Sequence, residues 1–189
     1  MASVSAPRNG AREHGKGALR FALAAAVVAA AFLATSAVAS SRSETSLRTM
    51  NRQMLTALNR FRLAHGLRAL RESAELDRSA RQHSSEMGRL GYFSHSSADG
   101  MQFWQRIRHF YPRAGHSYWS VGENLAWASP GMTAGSAMKM WISDPPHLAN
   151  LLSRKWRQIG ISAVAVARAP GVYGSRRVTI ITTDFGVRS

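Results

Sequence analysis

Two histidines stand in short polar segments beside structural breaks: His95 in Phe93-Ser94-His95-Ser96 and His147 in Ser143-Asp144-Pro145-Pro146-His147-Leu148. Between them runs Gly122-Glu123-Asn124-Leu125-Ala126-Trp127, a single carboxylate among small and apolar residues. A neutral imidazole accepts a metal ion or a proton, and a carboxylate serves as metal ligand or general base. Each also has a structural use. A buried carboxylate is costly unless paired, so a histidine bonded to Glu123 would serve packing as well as chemistry. Asp144 precedes two prolines and reads first as a helix N-cap. The chain offers no convincing nucleophile, having no cysteine and no serine in a Gly-x-Ser-x-Gly elbow. The histidines also lack the spacing of a His-Glu-x-x-His helix. Hydrolysis would therefore rest on an activated water, and the balance leans away from an enzyme.

The elements that must position these residues begin with Leu47, Met50, Met54, Leu58 and Phe61, which recur at steps of three and four and predict a helix stopped by Gly66. A second helix is expected over about Ser73 to Leu90, with Leu76, Ala80, Met87 and Leu90 inward and Gly91 closing it. Residues 91 to 130 are rich in Gly, Ser and aromatics, with one helix expected near Gln102 to Arg108; Ala134 to Trp141 reads as a further helix. The period then changes. Ile159, Ile161, Ala163 and Ala165 alternate with other residues, and Val178 to Thr183 is wholly β-branched, predicting two strands joined through Pro170, Gly171 and Gly174. Helices followed by a hairpin argue for an α+β fold with an antiparallel sheet. His65 and His83 read as helix-surface or helix-end residues, and His109 and His116 as surface residues. The five tryptophans read as core first, with Trp119 and Trp127 as candidates to line a sugar or lipid cleft.

The three segments around His95, Glu123 and His147, together with Asn59-Arg60-Phe61-Arg62-Leu63-Ala64-His65-Gly66-Leu67, resemble the CAP superfamily of cysteine-rich secretory, antigen 5 and pathogenesis-related proteins. The resemblance covers about residues 47 to 187 and implies a three-layer α/β/α sandwich with a small antiparallel sheet. It places His95, Glu123, Asp144 and His147 at the positions of a cleft tetrad. Animal members usually carry glutamate where Asp144 stands, so the shorter aspartate is expected to cap a helix. His95 and His147 become the candidate metal ligands, Zn²⁺ the candidate cofactor, and Glu123 the base of a Zn-dependent hydrolase. The reading favoured here is a binding domain whose cleft takes a small ligand, a lipid or an anionic cell-envelope component. Lipid binding is implied by eukaryotic relatives, and a structural module without a ligand is the third reading. The absence of cysteine fits the bacterial, cysteine-free type.

Arg8, Arg12, Lys16 and Arg20 precede an apolar run from Phe21 to Leu33 that ends in Ala37-Val38-Ala39, the pattern of a secretory signal over residues 1–39. The alternative is an uncleaved anchor over residues 21–39. Residues 40–46 read as a linker, followed by one domain over 47–187. The expected location is thus secreted or cell-envelope associated. A net charge of +15 attracts polyanions such as anionic lipid headgroups or acidic wall polymers. Its arginines are dispersed and carry no nucleic-acid motif, which disfavours nucleic acid as a partner. Without cysteine, stability must come from packing.

Overall fold

Met50, Met54 and Leu58 are buried on one face of a helix, α1, in a computed structural model that describes residues 44–189. The segment read as a signal or anchor lies outside the described residues. α1 spans 44–64, so it starts before Leu47 and takes in residues 44–46 of the expected linker. Those three residues are exposed, and a solvated first turn needs no apolar side chain. A two-residue strand β1 (Arg71–Glu72) follows, then α2 (Ala74–Leu90), whose first turn is capped by Ser73 and whose end is closed by Gly91 at φ 77°. Gly91 suits the left-handed conformation because it has no Cβ.

Two readings on α2 are corrected. His83 is fully buried, because it falls on the same stripe as Leu76, Ala80 and Met87. Leu90 is 45% exposed, because the helix ends before its side chain can reach the core.

The chain continues through α3 (Phe103–Phe110), β2 (Trp119–Ala128), α4 (Ala134–Ser143), α5 (Pro145–Leu152), β3 (Gln158–Ala169), a short 3₁₀ turn at Gly171–Tyr173 and β4 (Arg176–Arg188). The four strands form one sheet in the order β1-β3-β4-β2. β1 runs parallel to β3; the β3–β4 and β4–β2 pairs are antiparallel. β1 and β2 are the strands that sequence periodicity missed, and β2 carries the Gly122–Trp127 motif. β2 lacks polar alternation because side chains pack on both of its faces.

Strand alternation sorts β4 into two cores. Ile181, Phe185 and Val187 join Met54, Leu58, Trp141, Leu151 and Trp156 under α1, α4 and α5. Val178 and Ile180 join Met87 and Tyr173 on the opposite face, where Leu76, Ile107 and Tyr111 extend the layer under α2 and α3. The result is a three-layer α/β/α sandwich, as the family resemblance implies. α2 lies so close to the sheet that a Cβ on Gly160 would sit 2.1 Å from the Leu76 carbonyl carbon.

Beyond the short β1, the outer edge of β3 is completed by side chains from both helical layers. The Ile161 N–H donates to Asp77 Oδ1 at 2.8 Å, and the Ala163 N–H to Asn51 Oδ1 at 2.9 Å. Backbone donors at a buried edge need such partners. The remaining edge of the sheet is β2, which carries Glu123 and Asn124.

Candidate functional site

Alternation along β2 sends neighbouring side chains to opposite faces of the sheet. Val121 and Leu125 pack on the α2/α3 side and Ala126 on the α4/α5 side, so Glu123 faces α2 and α3 while Asn124 faces α5. Gly122 also faces α5, where a Cβ would lie 2.7 Å from the Trp156 ring and 2.9 Å from Asn150 Oδ1. The Gly-Glu-Asn order thus leaves space for one helix, reaches across the sheet to another layer, and hydrogen-bonds the first helix again.

The Glu123 side chain is 1% exposed, and both of its oxygens are engaged. Oε1 accepts from His95 Nδ1 at 2.7 Å, and Oε2 accepts from Arg106 Nη2. Arg106, on α3, also donates through Nη1 to the His95 carbonyl and to Ser97 Oγ, each at 3.1 Å. One buried ion pair therefore holds both the His95 ring and its backbone. The imidazole remains 52% exposed. With Nδ1 donating to a carboxylate, Nε2 of the neutral ring is its free acceptor.

His147 is organised in the same way from the other layer. Asp144 caps α5, accepting the His147 N–H at 3.4 Å, and its Oδ2 lies 2.7 Å from His147 Nδ1. The cap reading of Asp144 and an imidazole contact thus coexist. His147 does not bond Glu123; α5 is tied to β2 through amides instead. Asn124 Nδ2 donates to the His147 carbonyl at 3.1 Å, and Asn150 Nδ2 donates to Asn124 Oδ1 at 2.9 Å and to the Glu123 carbonyl at 3.0 Å. Two histidine–carboxylate pairs, His95–Glu123 and His147–Asp144, are anchored from opposite faces of the edge strand.

Three supporting groups escaped sequence reasoning. Arg106 is one, although Phe103, Arg106, Ile107 and Phe110 follow a helical stripe, and an arginine on an apolar stripe is the signal that could have exposed it. Asp184 is another, an aspartate within the apolar strand β4 and the cross-strand partner of Glu123. It is fully buried, and burial first, then the Glu123 charge, raise its carboxyl well above the usual range. The Ser79 hydroxyl and the Glu123 carboxylate act on it, yet neither Asp184 oxygen has a hydrogen bond of full geometry among the described residues. The third is His83, whose Nε2 lies 2.8 Å from the Ser94 carbonyl; a carbonyl only accepts, so Nε2 donates. Burial lowers the proton affinity of His83, and its bond fixes the turn immediately before His95.

The donor set does not fit a three-ligand Zn²⁺ centre. Among the described residues no three His, Asp or Glu side chains converge as a metal-binding group, and Glu123 is already bound to an arginine. A structural or catalytic zinc site draws three or four protein ligands. Trp119 and Trp127, read as core residues first and as candidates to line a cleft, are both engaged in packing: Trp119 Nε1 donates to the Tyr111 carbonyl at 2.8 Å, and Trp127 packs edge-on against Tyr173. His109 is exposed and His116 half-buried.

The fold and these pairs define a three-layer sandwich in which two carboxylate-bonded imidazoles, one in the loop before α3 and one on α5, are tied to the edge strand β2. The cysteine-rich secretory protein family, CAP, matches residues 55–174, and the chain belongs to that family. It is a cysteine-free member. The uncharacterized protein YkwD of Bacillus subtilis (strain 168) is 28% identical over 119 residues, 63% of this chain and 44% of that protein. An extracellular protein of Bacillus anthracis str. Ames containing an SCP domain has a similar structure, with a TM-score of 0.60 and 23% identity over 77% of this chain and 42% of that one. An outer surface protein of Borrelia burgdorferi aligns with a TM-score of 0.57 and 18% identity, covering 71% of this chain and 90% of that one. The chain spans less than half the length of these two Bacillus relatives.

Proposed function

We propose that this chain is an extracellular binding domain whose two imidazoles hold the polar part of a small amphiphilic ligand. The observation that carries this reading is the commitment of both Glu123 oxygens, one to His95 and one to Arg106. A carboxylate so bound is an orienting group, not a free base. Each imidazole has its Nδ1 against a carboxylate, and its Nε2 makes no hydrogen bond among the described residues. The segment carrying His95 also exposes Phe93 and Met101, at 38% and 40%, and α3 exposes Trp104 at 42%. Those surfaces suit an apolar tail beside a polar head. The extracellular setting follows the extracellular B. anthracis protein and the outer surface protein of B. burgdorferi, and no described helix is long and apolar enough to cross a membrane.

Two titrations test this. A short-chain phospholipid below its micellar concentration is expected to change the tryptophan fluorescence of the wild type saturably, and to change it less in a Trp104→Phe chain. Affinity is expected to fall about tenfold in a His95→Ala, His147→Ala chain, the scale of one lost charge-assisted hydrogen bond. Zn²⁺ is expected to bind no more tightly to the wild type than to that double variant. Zn²⁺ binding that depends on both histidines and raises ester or peptide hydrolysis would replace the binding reading with the hydrolase one.

A further inference from the structure

Away from the His95–Glu123 pair, the end of α1 and the turn between α5 and β3 enclose a concavity of about 240 Å³. It is lined by Arg62, Gly66, Leu67, Arg68, Arg154 and Arg157: four guanidinium groups and no carboxylate. Arg62 is the buried floor, 1% exposed. Its Nε donates to the Arg68 carbonyl at 3.0 Å, and its Nη1 to the carbonyls of Leu151 at 2.7 Å and Ser153 at 3.1 Å. These bonds fix its position and leave Nη2 without a protein partner among the described residues.

Arg157 is fixed in the same manner. Its Nη1 donates to the carbonyls of Arg154, Lys155 and Trp156 at 2.7, 3.2 and 2.9 Å, so its Nε and Nη2 stay available. The Arg68 and Arg154 side chains make no hydrogen bond or ion pair among the described residues. Burial, and then the Arg157 charge, lower the proton affinity of Arg62, the mark of positive charge without a counter-charge.

We propose that this concavity is a binding site for a phosphate-class oxyanion. Two guanidinium groups held by backbone carbonyls form a preorganised base, and two free ones close over it. Arginine forks match tetrahedral phosphate oxygens, several donors at a time. The volume lies below the roughly 300–1,000 Å³ of drug-sized pockets, and Leu67 is the sole apolar side chain in the lining. It therefore admits a headgroup or a single polymer phosphate and excludes an acyl chain. The phosphate belongs to a free ion, a phosphodiester wall polymer or a lipid headgroup. This site is separate from the His95–Glu123 arrangement and stands whether or not that binding reading does.

The test is calorimetric titration of the full chain with inorganic phosphate at fixed ionic strength. Arg68→Gln, Arg154→Gln removes two exposed arginines whose side chains make no hydrogen bond or ion pair among the described residues, so the fold is expected to survive. An Arg168→Gln, Arg177→Gln chain matches the charge change on exposed positions of the β3–β4 hairpin. The first double variant is expected to lose affinity about tenfold or more, while the second stays within about threefold of wild type. Equal losses in both would mean only net-charge attraction and would overturn the site, as would absence of saturable phosphate binding in the wild type. A glycerol phosphate oligomer and phosphatidylglycerol vesicles, with phosphatidylcholine vesicles as baseline, identify the source. The probe whose binding depends on Arg68 and Arg154 most strongly names it. Polymer or vesicle binding that ignores both arginines counts against the site.

Discussion

Arg106→Met should be among the most damaging single changes in the chain, because it leaves Glu123 charged and sealed. The two side chains are 2% and 1% exposed, so water cannot replace the lost guanidinium. Removing one partner of a buried pair costs about 3–5 kcal/mol. The bonds from Arg106 to the His95 carbonyl and Ser97 Oγ are lost as well, but they sit on a loop that water reaches. Methionine retains most of the apolar stem, which limits the cavity contribution. A total of about 4 kcal/mol corresponds to a fall in Tm of roughly 8–16 °C for a domain of this size. Adding Glu123→Gln to Arg106→Met removes the orphaned charge, so the double variant should recover at least about 1.5 kcal/mol relative to the sum of the singles. Urea denaturation of wild type, both singles and the double closes the cycle. A loss under about 1 kcal/mol for Arg106→Met, or additivity within about 0.5 kcal/mol, would show that Glu123 is solvated or neutral and would remove the ion pair as the organiser of His95.

Two further outcomes follow from named contacts. Asp77 is raised from 3.8 to about 6 by burial, against its bond from the Ile161 N–H. Its folded form therefore binds a proton more tightly than the unfolded chain, so its contribution is fully present below the unfolded value of 3.8 and is lost as pH rises through about 6. Asp77→Asn keeps an acceptor for Ile161 and cannot ionise; its Tm relative to wild type should climb between these pH values in a thermal melt series, and a pH-independent difference would contradict the assignment. Asp144→Ala should cost about 1 kcal/mol through loss of the α5 cap, whereas Asp144→Asn should keep most of that stability. In NMR, both variants should shift the His147 ring signals, and an unchanged ring in Asp144→Ala would deny the Asp144–His147 contact.

The helices were legible because their apolar spacing is local: Met50, Met54 and Leu58 meet the core through one face of α1, and Gly91 ends α2 by its own backbone freedom. β3 and β4 were legible from alternation and β-branching. β2 was not, because Gly122, Glu123 and Asn124 have weak strand propensity and each is placed by a different layer. The position of Asp144 at a helix start was likewise local, written in the two prolines after it. His83 was misread as a surface residue because a helical stripe containing one histidine looks the same whether that histidine is buried or not.

What the sequence determined by itself was therefore the set of elements and a family-matched list of chemical groups: two imidazoles, Glu123 and Asp144. Tertiary structure alone decided their pairing. It joined His95 to Glu123 and His147 to Asp144, supplied Arg106 and Asp184 from elements with no sequence link to the motif, and set four arginines around one concavity. The physical reason is that burial changes the energetics of charge. A carboxylate whose position in the chain leaves it free to meet water becomes, between two packed layers, a group that must find a cation. Which cation lies within reach depends on the strand's facing, the helix packed against it and the distance between their backbones.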